Sequence, residues 1–111
     1  MSISGRDLVY GLPKTMEIGS DEVFEIIRPL LDEVMLVVKE TLQQTPPELV
    51  ADIVDKGIVL VGAAAKLRNL SLLLTREIGV SVHLALEPEN CVIKGAGMAM
   101  DNLEIYRKSI R

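Results

Sequence analysis

The stretch KGIVLVGAAAKLRNL, residues 56–70, decides how the chain folds. Four apolar residues at 58–61, three of them β-branched, stand between Gly57 and Gly62. They predict a short strand that is apolar on both faces, as a central strand covered on two sides would be. Gly62 then turns the chain into a helix, AKLRNLSLLLTREIG, that Gly79 stops. Phosphates are often held at such a strand-to-helix turn, by free backbone N–H groups and the positive end of the helix dipole. Here, however, alanines follow the glycine. A P-loop requires a lysine and a hydroxyl where Ala63 and Ala64 stand, which excludes that motif.

Downstream, VSVHLAL alternates, with Val80, Val82, Leu84 and Leu86 on one side and Ser81, His83 and Ala85 on the other. This predicts a second strand with one better-buried face. After Glu87 and Pro88, ENCVIKGAGMAMDNLEIYRKSI reads as one helix in which Gly95 and Gly97 allow close helix packing. GAGMAM starts like a dinucleotide fingerprint, but it lacks the third glycine and does not directly follow a strand.

Upstream, TPPELVADIVDKG predicts a compact helix with Thr45 as N-cap, Pro46 in the first position, Glu48 closing a capping box and Gly57 as the stop. Before it, apolar residues recur at helical spacing from Val23 to Leu42, after Ser20, Asp21 and Glu22 at a favourable N-terminus. That predicts a helix over residues 20–44, kinked or restarted at Pro29. GRDLVYGLPKTMEI reads as a linker over residues 1–14 leading into a strand at residues 15–18. The order of strand, two helices, strand, helix, strand and helix predicts an α/β fold with parallel crossovers. A chain of 111 residues predicts one domain.

The composition narrows the function. Hydrophobic residues make up 49% of the chain and aromatics only 3%, so the core is aliphatic. A mean hydropathy of +0.32 is high for a small soluble monomer and predicts a surface that meets a partner. A net charge of −4 without any basic cluster excludes a nucleic-acid binder. The longest apolar runs fall short of the roughly 20 residues a membrane-spanning helix needs. One cysteine, Cys91, makes an internal disulfide impossible, and no signal peptide opens the chain; both predict a reducing cytoplasm. His83 and Cys91 are single residues of their kinds, so no His and Cys metal cluster can be built. The carboxylates at 21, 22, 32, 33, 52 and 55 read as solvated helix faces, none spaced as a general base.

Three segments, GRDLVYGLPKT, TPPELVADIVDKGIVLVG and CVIKGAG, occur in order over residues 3–102 and resemble the C-terminal part of the MreB family of bacterial actin-like cell-shape proteins. The likeness includes Pro29 inside the first long helix and the paired Pro46 and Pro47 before the second. It implies the large subdomain of the second lobe, an actin- and Hsp70-like α/β unit with a ribonuclease-H-type core and a short, mainly parallel sheet with packed helices. It also implies that residues after the central strand touch a nucleotide. Where the family has a run of three glycines this chain has Gly62, Ala63 and Ala64; Asn69 replaces a further glycine and Lys66 an apolar residue. Gly62, Ala63, Ala64 and Lys66 are therefore the candidate, degenerate nucleotide-binding residues, with no catalytic residue and no metal ligand expected. Each added methyl narrows the approach of backbone to phosphate, and alanine disfavours positive φ.

The family's phosphate-binding hairpins and Mg²⁺-linked acidic residues have no counterpart in this chain. Hydrolysis needs positioning and charge stabilisation around the phosphates together, so the resemblance implies a fragment-like protein that is not an enzyme by itself. The function it implies is association: with filaments of a full-length MreB-like protein, with itself, or with a RodZ-type membrane adaptor that binds this subdomain. A cytoplasmic location follows, with membranes reached through partners and not by direct insertion. The alternative is a partial ATP-binding element that completes a nucleotide site with another chain. A remnant without selected activity is the third reading.

Overall fold

The computed structural model describes residues 1–109. They divide into two compact units, one over Met1–Val38 and one beginning at Lys39.

The first unit opens with a hairpin, β1 (Ser2–Arg6) paired antiparallel with β2 (Pro13–Glu17) from Ser2 opposite Glu17 to Arg6 opposite Pro13. Residues 1–14, predicted as a linker, thus contain a strand. SISGR hid it, because neither face is buried and the residues carry no alternation of apolar and polar character. Asp7 shapes the turn. Its Oδ1 accepts the amides of Val9 and Tyr10 at 2.8 and 3.0 Å, while its backbone bonds Gly11 N and Leu12 O. These amides hold the Asp7 carboxyl below its ordinary range, with Lys14 adding to the effect.

Helix α1 (Ser20–Gln44) follows as one continuous helix with Pro29 inside it, so it does not restart there. Ser20 lies within the helix, and the Gly19 carbonyl accepts the first amide, from Val23 at 3.2 Å. The apolar residues of α1 form two stripes. Ile27, Leu31, Met35 and Val38 are the more covered stripe, with Met35 buried, and Val23, Ile26, Leu30, Val34 and Val37 form an exposed one. Helical spacing predicts both stripes but does not say which one is covered.

In the second unit, α2 (Pro47–Lys56) starts one residue later than predicted. Pro46 occupies the N-cap, and its carbonyl accepts from Leu49 and Val50 at 3.0 and 3.1 Å. The Thr45 hydroxyl donates to Thr41 O at 2.6 Å instead of capping α2, so no capping box forms. Proline cannot donate an amide, and two in succession move the start of the helix to where the missing donors do not matter. Gly57 ends α2 at φ 84°, its amide on Ile53 O at 2.7 Å, and releases the chain into β3 (Ile58–Leu60).

β3 pairs in parallel with β4 (Val82–Leu84) through Ile58 and Val82, Val59 and His83, Leu60 and Leu84. The connection is α3 (Leu70–Ile78), stopped as predicted by Gly79 in the left-handed conformation. Thr75 of α3 is the joint: its hydroxyl donates to Ser71 O at 2.8 Å and accepts the Val82 amide at 3.0 Å. Leu74, Val80 and Val82 are buried here. β3 is not the doubly covered central strand that its composition predicts, since Val59 is 60% exposed. Among the described residues its sheet contains two strands. The alternation in β4 holds for Val80 and Val82 only; Leu84 and Leu86 are exposed.

The last segment is not one helix. A short 3₁₀ turn (Pro88–Asn90) leads into α4 (Cys91–Asp101), α5 (Leu103–Tyr106) and a final 3₁₀ turn (Arg107–Ser109), with the break at Asn102. Ile110, the end of the predicted helix, lies outside the described residues. Gly95 and Gly97 have open space where a Cβ would stand, so they do not mark close packing among the described residues.

Candidate functional site

The site predicted from sequence lies at the C-terminal ends of the parallel strands β3 and β4, where α/β sheets commonly place ligands. Two short 3₁₀ turns meet there, Ala63–Lys66 after β3 and Pro88–Asn90 after β4. A bond from the Ala85 amide to Leu60 O at 3.0 Å carries the ladder to this end.

Gly62 has φ 92° and ψ 159°, a conformation that needs glycine, which explains the one glycine of the turn that stays. Its amide donates to Pro88 O at 2.7 Å. Ala63 and Ala64 are exposed, and Ala65 is buried beneath them. The predicted continuous helix breaks after Lys66. Leu67 is extended at ψ 125° and Asn69 is left-handed at φ 64°, before α3 begins at Leu70. Asparagine is the residue best able to take that conformation after glycine, which accounts for Asn69 at a place where the resemblance expects a glycine.

Lys66 reaches across to the second turn, its Nζ on Glu89 Oε1 at 2.7 Å. The Lys66 hydrogen bond holds the Glu89 carboxyl below its usual range, and the backbone amide of Glu89 reinforces this. Lys94 forms a second ion pair with Glu87, which is itself left-handed at φ 46°. All four predicted residues are thus on one short turn. Glu89 and Pro88 are the partners that sequence reasoning missed, and they stand more than 20 positions away, with only the break after Glu87 as a signal.

In this turn the Gly62 amide donates to Pro88 O, and Lys66 is paired with Glu89. Among the described residues no group of His, Cys, Asp and Glu is arranged to hold a metal. His83 shares a hydrogen bond with Ser81 Oγ at 3.0 Å, and the Cys91 thiol lies 3.7 Å from the carbonyls of Leu86 and Glu87. No described helix is long and apolar enough to cross a membrane.

Comparison with known proteins accounts for the arrangement. The chain is 42% identical over 104 residues to the cell shape-determining protein Mbl of Bacillus subtilis, covering 94% of this chain and 31% of that protein. It is 37% identical over 106 residues to the cell shape-determining protein MreB of Escherichia coli K12, covering 96% of this chain and 30% of MreB. Among solved structures it resembles MreB5 of Spiroplasma citri bound to ADP, with a TM-score of 0.89, 32% identity and coverage of 97% of this chain and 33% of MreB5. The AMPPNP-bound structure of the same protein gives a TM-score of 0.88. The α/β architecture with a short parallel sheet is thus that of the actin-like MreB fold, and the chain spans about a third of the length of the relatives it matches. The family profile described as MreB/Mbl protein matches residues 1–108, and the chain belongs to the MreB/Mbl family.

Proposed function

We propose that this chain acts in the cell-shape cytoskeleton by protein association and not by catalysis, joining MreB-family filaments or copies of itself. The carrying observation is surface. Large apolar side chains stand exposed: Ile26, Leu30 and Val34 on α1, and Val92, Ile93 and Met100 on α4. Apolar area on this scale favours association in water. A RodZ-type adaptor is a further partner for the same surface, and through it a cytoplasmic protein would reach the membrane. Static light scattering across a micromolar concentration series tests the reading. A mass above the monomer that rises with concentration is expected; a monodisperse monomer throughout would sink it.

A second reading has one observation in its favour, the likeness to structures holding ADP and AMPPNP. In it, Gly62, Ala63, Ala64 and Lys66 line part of an ATP site that another chain completes. The ion pair between Lys66 and Glu89 opposes it. Calorimetry with Mg-ATP, with and without the complementary lobe of a relative, decides: heat in the presence of that lobe would establish it, and no heat in either case would exclude it.

A further inference from the structure

β3 (Ile58–Leu60) has two edges, and among the described residues only one is in use. Toward β4, the Ile58 amide donates to Ser81 O at 2.8 Å, and Leu60 O accepts the Ala85 amide at 3.0 Å. Backbone groups alternate sides along a strand, so the amide and carbonyl of Val59 point to the opposite edge and those of Val61 continue it. No described strand lies beside β3 there, and neither backbone group of Val61 is hydrogen-bonded within the described residues.

The outer edge of β4 is protected. Its Val82 amide donates to the Thr75 hydroxyl of α3 at 3.0 Å, and Val82 is buried. An edge covered by a helix in this way no longer offers an open row of donors and acceptors. β3 lacks such cover, and residues 58–61 include no lysine or proline to discourage pairing. All four are apolar, with Val59 60% and Val61 50% exposed. That composition belongs inside a sheet, so β3 is an interior strand left at an edge.

An open edge is selective about its occupant. A helix satisfies its backbone groups internally, whereas an extended chain presents donors and acceptors at the spacing of Val59 and Val61. Because β3 is apolar on both faces, the added strand must be apolar on both faces too, continuing the same two surfaces. A source for it exists in the relatives: this chain matches 31% of Bacillus subtilis Mbl, and more than two-thirds of that protein lies outside the match.

Resting on the association reading above, we infer that the free edge of β3 takes up an extended apolar strand from a longer MreB/Mbl-family partner, drawn from the part of such a protein that this chain lacks. Main-chain bonds form at Val59 and Val61, and the incoming side chains cover the exposed valines. β3 is three residues long, so the contact is far smaller than a standard interface of about 800 Å² per partner and is weak when the strand is offered as a separate peptide.

Overlapping synthetic peptides covering the part of B. subtilis Mbl outside the match are the probe. Each is added to the full chain, and amide hydrogen exchange is read residue by residue by NMR. One apolar peptide is expected to slow exchange at Val59 and Val61 about tenfold or more, with little change at Ile58, which is already bonded to Ser81. N-methylation of alternate residues of that peptide is expected to abolish binding in one register and to spare it in the other, which a merely apolar contact would not do. Val59→Pro removes an outward amide without touching those that face β4, and should weaken binding about tenfold or more. Should circular dichroism show that this variant unfolds, Val59→Lys, which keeps the amide and charges the edge, is read in its place. No peptide protecting Val59 and Val61, or a protecting peptide that tolerates N-methylation in both registers, would overturn the proposal; pelleting of the chain with filaments would still uphold association. Protection that needs no peptide and rises with chain concentration would assign the edge to a second copy and overturn it as well. A chain that gains protection from a peptide but neither pellets with filaments nor exceeds monomer mass would keep the edge and sink the association reading.

Discussion

Replacing Gly57 by alanine should destabilise the second unit more than any other glycine substitution there. Gly57 stands at φ 84° and ψ −178°, a region that is essentially glycine's alone and costs other residues about 1–3 kcal/mol. An added Cβ would also lie 2.8 Å from Ser81 O and 3.1 Å from His83 Nε2. Ser81 O cannot simply retreat, because it accepts the Ile58 amide at 2.8 Å and so holds the start of the parallel pair. Overpacking of this kind adds about 1–3 kcal/mol, for a total of about 2–6 kcal/mol. Gly79 provides the comparison. It is left-handed at φ 80°, with nothing within 4 Å of a Cβ, so Gly79→Ala should cost about 1 kcal/mol. Gly95 is inside α4 with open space around it, and Gly95→Ala should stabilise by about 0.5–1 kcal/mol. Urea unfolding followed by far-UV circular dichroism, with linear extrapolation, ranks the three. Gly57→Ala no less stable than Gly79→Ala would refute the reasoning.

Thr75→Val removes the hydroxyl that both donates to Ser71 O and accepts the Val82 amide; leaving that part-buried amide unpaired should cost about 1–3 kcal/mol in the same assay. The Glu89 carboxyl should titrate below the ordinary glutamate range, and in Lys66→Met it should move back up, as read by carboxyl NMR chemical shifts. Because its pKa is lowered on folding, the contribution of the pair is present above the unfolded value and is lost as pH falls through the folded one. An unchanged Glu89 titration in Lys66→Met would mean that the ion pair does not form in solution.

Much of the fold was legible in the sequence because it is written in local chemistry. α1 has its predicted limits, Ser20–Gln44, and Gly57 and Gly79 stop α2 and α3 where a positive φ is needed. The apolar run after Gly57 gave β3, and the crossover through α3 gave its parallel pairing with β4. What was not legible depends on contacts distant in sequence. The break at residues 67–69 interrupts an apolar pattern that reads as continuous helix, where the 3₁₀ turn is held by Pro88 and Glu89 from the turn after β4. Of the hairpin, β2 was legible as a strand at residues 15–18, while β1 was hidden in a strand without a buried face. Two apolar stripes on α1 look alike to periodicity, and only the folded chain distinguishes the covered one.

The candidate turn shows the same division. Gly62, Ala63, Ala64 and Lys66 were recognisable by place, from the strand that precedes them and the resemblance that surrounds them. Their chemistry was not, since it is decided by partners on the second 3₁₀ turn.

The most direct test of the central claim is co-sedimentation of this chain with polymerised full-length MreB-family protein over a series of mixing ratios. Action by association predicts that the chain pellets with the filaments and saturates at a fixed stoichiometry. A chain that stays in the supernatant at every ratio, and is monomeric by light scattering, would contradict the account.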